Sequence, residues 1–455
     1  MNKKENKISK EIKINKKLAR RNYSNQTGIT LIALVVTIVV LLILAGVSLN
    51  AIFSENGIIK RAQDAQNKMN NAQESDLNAL NDLDKWINNQ VNGTTGGNTT
   101  GGNDNPSTTP KISTLVGKVV DKNTKAEDAY GNKITIPKGF KILEHNPTSN
   151  TGAVTYNYTN LEETGEHIPA VQDGIVIEDT QTGTAGNQFV WVPVGTIKNK
   201  NGSTNTITLG RYEFDSSTGA LKSTTPAQVA SVENCTKIVT ISKGGTDYQE
   251  LSTFREGNSA TNSTAQNATA RNLEEFISTT LANGGYYIAR FEASGTASKI
   301  ASKYNQTVLG NITQPNAAKV AREMYGEVKE NNELVYASDL VNSYAWDTAI
   351  VFIQTYSGKT DYASHNESIT TKAFTATRKN NDKYCNIWDM SGNAYEWTTE
   401  YSTSSHNSNF YPCVRRGGYY NTDNGRAHNY TSDRYYDNTT SSNSYSSLRS
   451  LLYVK

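Results

Sequence analysis

The 455-residue sequence holds three cysteines, Cys235, Cys385 and Cys413. That is too few for a disulfide scaffold. Cys385 and Cys413 could pair in an exported protein, three separate thiols are the equal alternative, and spacing does not decide between them. Its five histidines, His145, His167, His365, His406 and His428, are scattered. None takes part in a His-Glu-x-x-His zinc pattern, and no Gly-rich phosphate loop occurs. Ser and Asp abound, without a spacing that marks a triad. An excess of one charge is lacking too: 45 Lys and Arg against 43 Asp and Glu leave a formal +2. That balance gives no general case for nucleic acid as a partner.

The near-neutral total conceals an uneven chain. Residues 1–28 carry nine Lys/Arg against Glu5 and Glu11, a basic leader of +7 that leaves −5 on the remainder. Behind it, 29–49 is a run of 21 residues without a charge. At roughly 1.5 Å per residue a helix of that length reaches about 31 Å, enough to span a bilayer. The basic block sets its N-terminal side in the cytoplasm. The expectation is a single-pass anchor in a bacterial cell membrane, with the C-terminal bulk outside. A polar helical stem follows over 50–91, with Leu77, Leu80, Leu83 and Ile87 at spacings of three and four. "NGTTGGNTTGGNDNPSTTP" (92–110) is a flexible linker and the clearest domain boundary.

From 111 to 455 the sequence reads as one α+β domain. "KITIPKGFKI", "DGIVIED", "NQFVWVPVG" and "GGYYIARFEAS" are short apolar or alternating runs bounded by turn residues. "NAAKVAREMYG" (316–326) and "SYAWDTAIVFIQTYS" (343–357) carry apolar residues at helical spacing. The Ser/Thr/Asn-rich stretch at about 195–275 reads as an insertion with some strands of its own.

Two resemblances attach to these segments. The basic leader, Gly28 and "ITLIALVV" resemble the N-terminus of type IV pilins and pseudopilins. That likeness implies cleavage by a prepilin peptidase between Gly28 and Ile29, methylation of the new terminus, and pilin-like subunits as partners. The family's usual glutamate at the fifth mature position is Ala33 here, which puts polymerisation in question; a plain signal anchor is the alternative. Further on, "FVWVPVG", "YYIARFEAS", "SYAWDTA", "NIWDMSGNAYEWTTEY" and "RRGGYYN" occur in order. Together they resemble the formylglycine-generating-enzyme (sulfatase-modifying factor) superfamily, which implies a C-type-lectin-like fold. In "DMSGNAYEW" (389–397), Tyr395 stands where that family has a tryptophan. Asp389, Asn393 and Glu396 could offer oxygens to Ca²⁺, as related members do; turn and core hydrogen bonding is the alternative. Fold does not carry function. The family's oxygen-dependent enzymes use a cysteine pair after the Arg-Gly-Gly segment, and no cysteine follows Cys413. The iron branch's His-x₃-His-x-Glu pattern is absent as well. The expectation is therefore a non-enzyme with no cofactor.

What the sequence has instead is the stretch 419–447. Five Asn, six Tyr, six Ser, four Thr, three Asp and one His make up 25 of its 29 residues, and Gly425, Arg426, Ala427 and Arg434 complete it. Lys, Glu, Gln, Met and Trp are missing. An AT-rich genome would enrich Asn and Tyr, but Lys and Ile with them. Replacing either adenine of an AAC or AAT codon yields Asn, Tyr, His, Asp, Ser, Thr, Ala, Gly and Arg among its products; it cannot yield the five missing types. With its place just after Arg416-Gly417-Gly418, the stretch resembles the variable region of the target protein of a diversity-generating retroelement. That resemblance implies a surface-displayed protein binding an unknown protein or glycan. Tyrosine-rich, Ser- and Asn-bearing surfaces are the composition of antibody paratopes. Tyr419, Tyr420, Tyr430, Tyr435 and Tyr436 are the candidate anchors; Thr422, Asp423, His428, Asn429, Asp433 and Asn438 are the candidate polar contacts. The competing readings are a minor pilin or pseudopilin in a filament or secretion apparatus, a ligand-free polar loop, and, weakest, a formylglycine-generating-type oxidase.

Overall fold

The computed structural model describes residues 109–143, 170–252, 267–365, 376–377, 382–406, 409–420 and 430–455. The leader, the cleavage pair Gly28 and Ile29, the anchor 29–49, the stem 50–91 and the linker up to residue 108 lie outside the described residues. Among those described, no helix is long and apolar enough to cross a membrane.

The described chain is mostly β, with three helices of ten residues or more. In chain order its main elements are β1 (Phe140–Ile142), β2 (Val176–Asp179), β3 (Gln188–Pro193), β4 (Ile241–Lys243), β5 (Thr246–Gln249), α1 (Leu273–Asn283), β6 (Gly285–Ala289), α2 (Gln314–Glu323), β7 (Glu327–Glu330), β8 (Glu333–Leu340), α3 (Ser343–Tyr356), β9 (Tyr395–Ser402), β10 (Cys413–Arg416), β11 (Tyr435–Asp437), β12 (Ser446–Leu448) and β13 (Ser450–Val454). The first sheet has the order β7-β8-β13-β6-β3-β2-β1 and is antiparallel throughout. The second runs β4-β5-β9-β10-β11, with β12 lying parallel against β9.

The apolar runs follow from burial of the first sheet on both faces. Val190, Val192, Tyr286, Ile288, Leu451 and Tyr453 enter one core with α1 and α3. Their neighbours Phe189, Trp191, Tyr287, Ala289, Leu452 and Val454 enter a second core, under the hairpin Thr124–Glu127/Lys133–Ile136. With successive side chains pointing to opposite faces, both classes must then be apolar. A third core sets Ala317, Ala318 and Ala321 of α2 against Trp397, Cys413 and Leu448 of the second sheet.

Helix α3 is buried nearly all round, from Ser343 to Ile353, with apolar residues on every side and Asp347 and Thr348 among them. Its N-terminus is satisfied twice: Asn342 Oδ1 accepts from the Ala345 amide, and the Glu250 carboxylate accepts from the Ser343 amide and hydroxyl, both at 2.7 Å. Helix α1, with Leu273, Phe276 and Ile277 facing the core, lies partly within the stretch expected as an insertion. That stretch is also woven into the domain, since β4 and β5 extend the second sheet and Leu209, Tyr212 and Phe214 join the first core. All three cysteines are unpaired thiols, so the alternative of a Cys385–Cys413 bridge falls away. Burial and the nearby Asp437 carboxylate push the Cys413 thiol well above its ordinary range.

Candidate functional site

The stretch 419–447 is built into the domain where it is described, at 419–420 and from residue 430 on. Strand β11 pairs with β10, and β12 with β9. Backbone bonds fasten the remainder: the Tyr395 amide donates to the Tyr445 carbonyl at 2.9 Å, Thr431 to His365 at 3.1 Å and Tyr420 to Asn393 at 3.0 Å. Trp346 Nε1 of α3 donates to the Thr431 carbonyl at 2.9 Å.

On this frame the tyrosines converge on one arginine. In register, Arg415 of β10 lies opposite Trp397 on one side and Tyr435 on the other. Its guanidinium carbon sits 4.6 Å from the ring centre of Tyr395, 4.8 Å from Tyr435, 5.1 Å from Tyr445 and 5.5 Å from Trp397. A cation over that many ring faces is held by each quadrupole, at about 0.5–2 kcal/mol per favourable contact. Arg415 also bonds Ser446 Oγ at 2.8 Å and pairs with Asp437 at 3.2 Å. Around it Tyr395 stacks on Tyr419 (4.9 Å) and on Tyr435 (5.7 Å), and Tyr435 stacks on Tyr436 (5.7 Å). Tyr419 contacts Tyr445 at 4.8 Å and Tyr420 at 5.5 Å, and Tyr411 meets Tyr436 at 6.0 Å. Tyr395 is buried, and burial pushes its hydroxyl well above the ordinary tyrosine value despite Arg415. Tyr411, Tyr419, Tyr420, Tyr435, Tyr436 and Tyr445 are half-buried. The result is a rigid aromatic patch with hydroxyl-bearing rings partly open to solvent.

Beneath it lies an ionic network sealed from water. Arg416 donates to Asp347 Oδ1 at 2.5 Å and to Glu400 Oε2 at 3.3 Å. Arg211 reaches Glu400 Oε1 at 2.7 Å. Arg434 bridges Glu400 Oε1 (2.9 Å) and Asp347 Oδ2 (2.6 Å). Burial would raise the Glu400 carboxyl, but Arg434, Arg211 and Arg416 outweigh it and hold the group down at about 2.

Of the eleven candidate contact residues, Tyr419, Tyr420, Tyr435 and Tyr436 are brought together in the patch. Tyr430 is half-buried, its carbonyl taken by the Asp433 amide. Asn438 holds a turn, its Oδ1 accepting from the Thr440 amide and hydroxyl. Asp433, expected as a polar contact, is buried at 1% exposure and paired with Lys243. Thr422, Asp423, His428 and Asn429 lie outside the described residues. Sequence reasoning passed over Tyr445, Tyr411, Tyr395 and Arg415. The available signal was the alternation Tyr395-x-Trp397, which puts both rings on one face of a strand.

The polar groups of the Asp389–Glu396 turn make core contacts. Glu396 takes Arg449 Nε and Nη2 at 2.8 and 2.5 Å, and the Asn393 amide donates to Glu292 at 2.5 Å. The Glu396 carboxylate is thus paired with a guanidinium, and the Asn393 amide is engaged in core hydrogen bonding. Among the described residues no group of three or more His, Cys, Asp or Glu is arranged to hold a metal.

Gly417 explains part of the Arg-Gly-Gly segment. Its φ is +89°, and a Cβ there would lie 2.7 Å from the Met390 carbonyl oxygen and 3.4 Å from the Trp346 ring. Gly417→Ala is expected to cost roughly 1–3 kcal/mol, read as a lower thermal midpoint.

No protein-family model matches the chain, and no curated protein matches it. Solved structures similar to it include the Major Tropism Determinant P3c variant, at 12% identity and a TM-score of 0.25, over 76% of this chain and 98% of that one. The I1 variant of the same protein follows at 11% and 0.23, over 76% and 99%. Scores of this size do not establish a shared fold.

Proposed function

We propose that this protein is a surface-displayed binder, without enzymatic activity, whose C-terminal segment is rewritten by a diversity-generating retroelement to meet changing protein or glycan targets. One observation carries the reading. A segment whose composition falls within the products of adenine substitution at Asn codons supplies Tyr419, Tyr420, Tyr435, Tyr436 and Tyr445 to a single patch. Tyrosine suits such a face because it brings large amphipathic area with only two side-chain torsions to immobilise. Fixed residues from outside the segment, Tyr395 and Arg415, hold the rings in place, which lowers the ordering cost of binding. In this proposal the domain is C-type-lectin-like, and residues 29–49 anchor it in the cell membrane after processing at Gly28.

The test is genetic. DNA flanking the gene should hold a near-copy of the codons for 419–447 with AAC or AAT at the rewritten positions, beside a reverse-transcriptase gene. A locus without that copy ends the proposal. Intact-mass measurement of the membrane form addresses the N-terminus: loss of residues 1–28 supports prepilin processing, and a chain still starting at Met1 excludes it.

A further inference from the structure

We infer that Arg434 is a fixed positioning residue inside the segment, so that rewriting passes over position 434. The inference rests on the diversification reading above and sharpens it. Two adenine substitutions turn AAC or AAT into an arginine codon, so the residue set alone admits Arg434 as one more rewritten position. Its surroundings do not.

The side chain is 5% exposed and bridges two carboxylates, Glu400 on β9 and Asp347 on α3, that both belong to elements outside the segment. Those contacts tie residues 431–437 down along the edge of the second sheet. Two backbone bonds fix the same point: the Arg434 carbonyl accepts from Tyr248 Oη at 3.0 Å, and the Thr431 carbonyl accepts from Trp346 Nε1. Among the products of an adenine-substituted Asn codon, only arginine offers a planar fork able to reach both acids. Asparagine, serine and threonine are too short to bridge them, histidine cannot grip both, and aspartate would add a third carboxylate. Each forfeits the two charge-assisted hydrogen bonds by which Arg434 ties its strand to Glu400 and Asp347. Tyr436 and Asn438, close by, are half-buried and make ring or turn contacts only near the surface. The segment is thus pinned at 434, while half-buried positions such as 436 and 438 can change.

The full chain displayed on cells tests this, with the codons for 434, 436 and 438 replaced one at a time by the adenine-substitution set plus lysine, and sorted for protease resistance. Arginine at 434 should be recovered about a hundredfold over each alternative, lysine included, consistent with the loss of two charge-assisted hydrogen bonds. At 436 and 438 the alternatives should stay within about tenfold of the native residue. Equal recovery of asparagine and arginine at 434 overturns the inference. The flanking DNA gives a readout that stability does not move: the near-copy should read AAC or AAT at positions around 434 but not at 434. A near-copy with an asparagine codon at 434 overturns this inference alone, whereas a locus with no near-copy overturns the diversification reading beneath it.

Discussion

Replacing Glu400 with glutamine should remove roughly 3–5 kcal/mol of unfolding free energy at neutral pH, read from urea denaturation. Glu400 is the carboxylate on which Arg211, Arg434 and Arg416 all converge, at 2.7, 2.9 and 3.3 Å. Without its charge Asp347 alone faces three buried guanidiniums. A loss of that size is a large part of a typical domain's 5–15 kcal/mol. The same residue shapes the acid limb. Its carboxyl is held at about 2, below the ordinary 4.5, so its stabilisation is complete above pH 4.5 and lost as the pH falls through about 2. Glu400→Gln should lack that limb. A variant within about 0.5 kcal/mol of the native protein would mean that the arginines find other partners, and the account of the network would be wrong.

Glu250 should act in the opposite sense. Burial lifts its carboxyl from 4.5 to about 7, even though the Thr399 hydroxyl and the Ser343 amide and hydroxyl donate to it, and Glu400 adds to the rise. A carboxyl raised in the folded state stabilises fully below the unfolded value of 4.5 and loses that contribution as the pH climbs through 7. The span corresponds to at most about 3 kcal/mol. Glu292, Glu396 and Asp339 are shifted upward too, chiefly by burial, and push the profile the same way. Stability of the native protein should therefore fall from about pH 4.5 to 7, and subtracting the Glu250→Gln profile isolates the part due to Glu250. Parallel profiles would refute its assignment. Together the two glutamates place the optimum near pH 4.5, below neutrality.

Much of the fold could be read from the chain, because the first sheet writes its burial directly into composition. "FVWVPVG" and "YYIARFEAS" cover all but the first residue of β3 and β6, and "SYAWDTAIVFIQTYS" contains α3, elements too apolar to lie anywhere but inside. Helix α1 escaped because Thr279 and Thr280 on its buried side look polar in a list of residues. The ionic network escaped for a different reason. Arg211, Asp347, Glu400, Arg416 and Arg434 are spread over 224 positions, and no spacing rule unites charges that meet only after folding. For the patch, the tyrosines were visible as a composition, whereas their centre was not. Arg415 reads as an ordinary basic residue until β9 and β11 flank it with rings.

Strand β11 closes the second sheet at its edge and is only three residues long. An open edge is a template on which a second molecule can add its own backbone, and a long one decorated with aromatic or β-branched side chains is a hazard for fibre growth. Three residues offer too short a ladder to nucleate such growth, and Asp437 at its end pairs inward with Arg415. Whatever side chains stand at 435 and 436, self-association through the main chain stays suppressed. Under the proposed diversification, exchange at these positions would leave the tendency to self-associate unchanged.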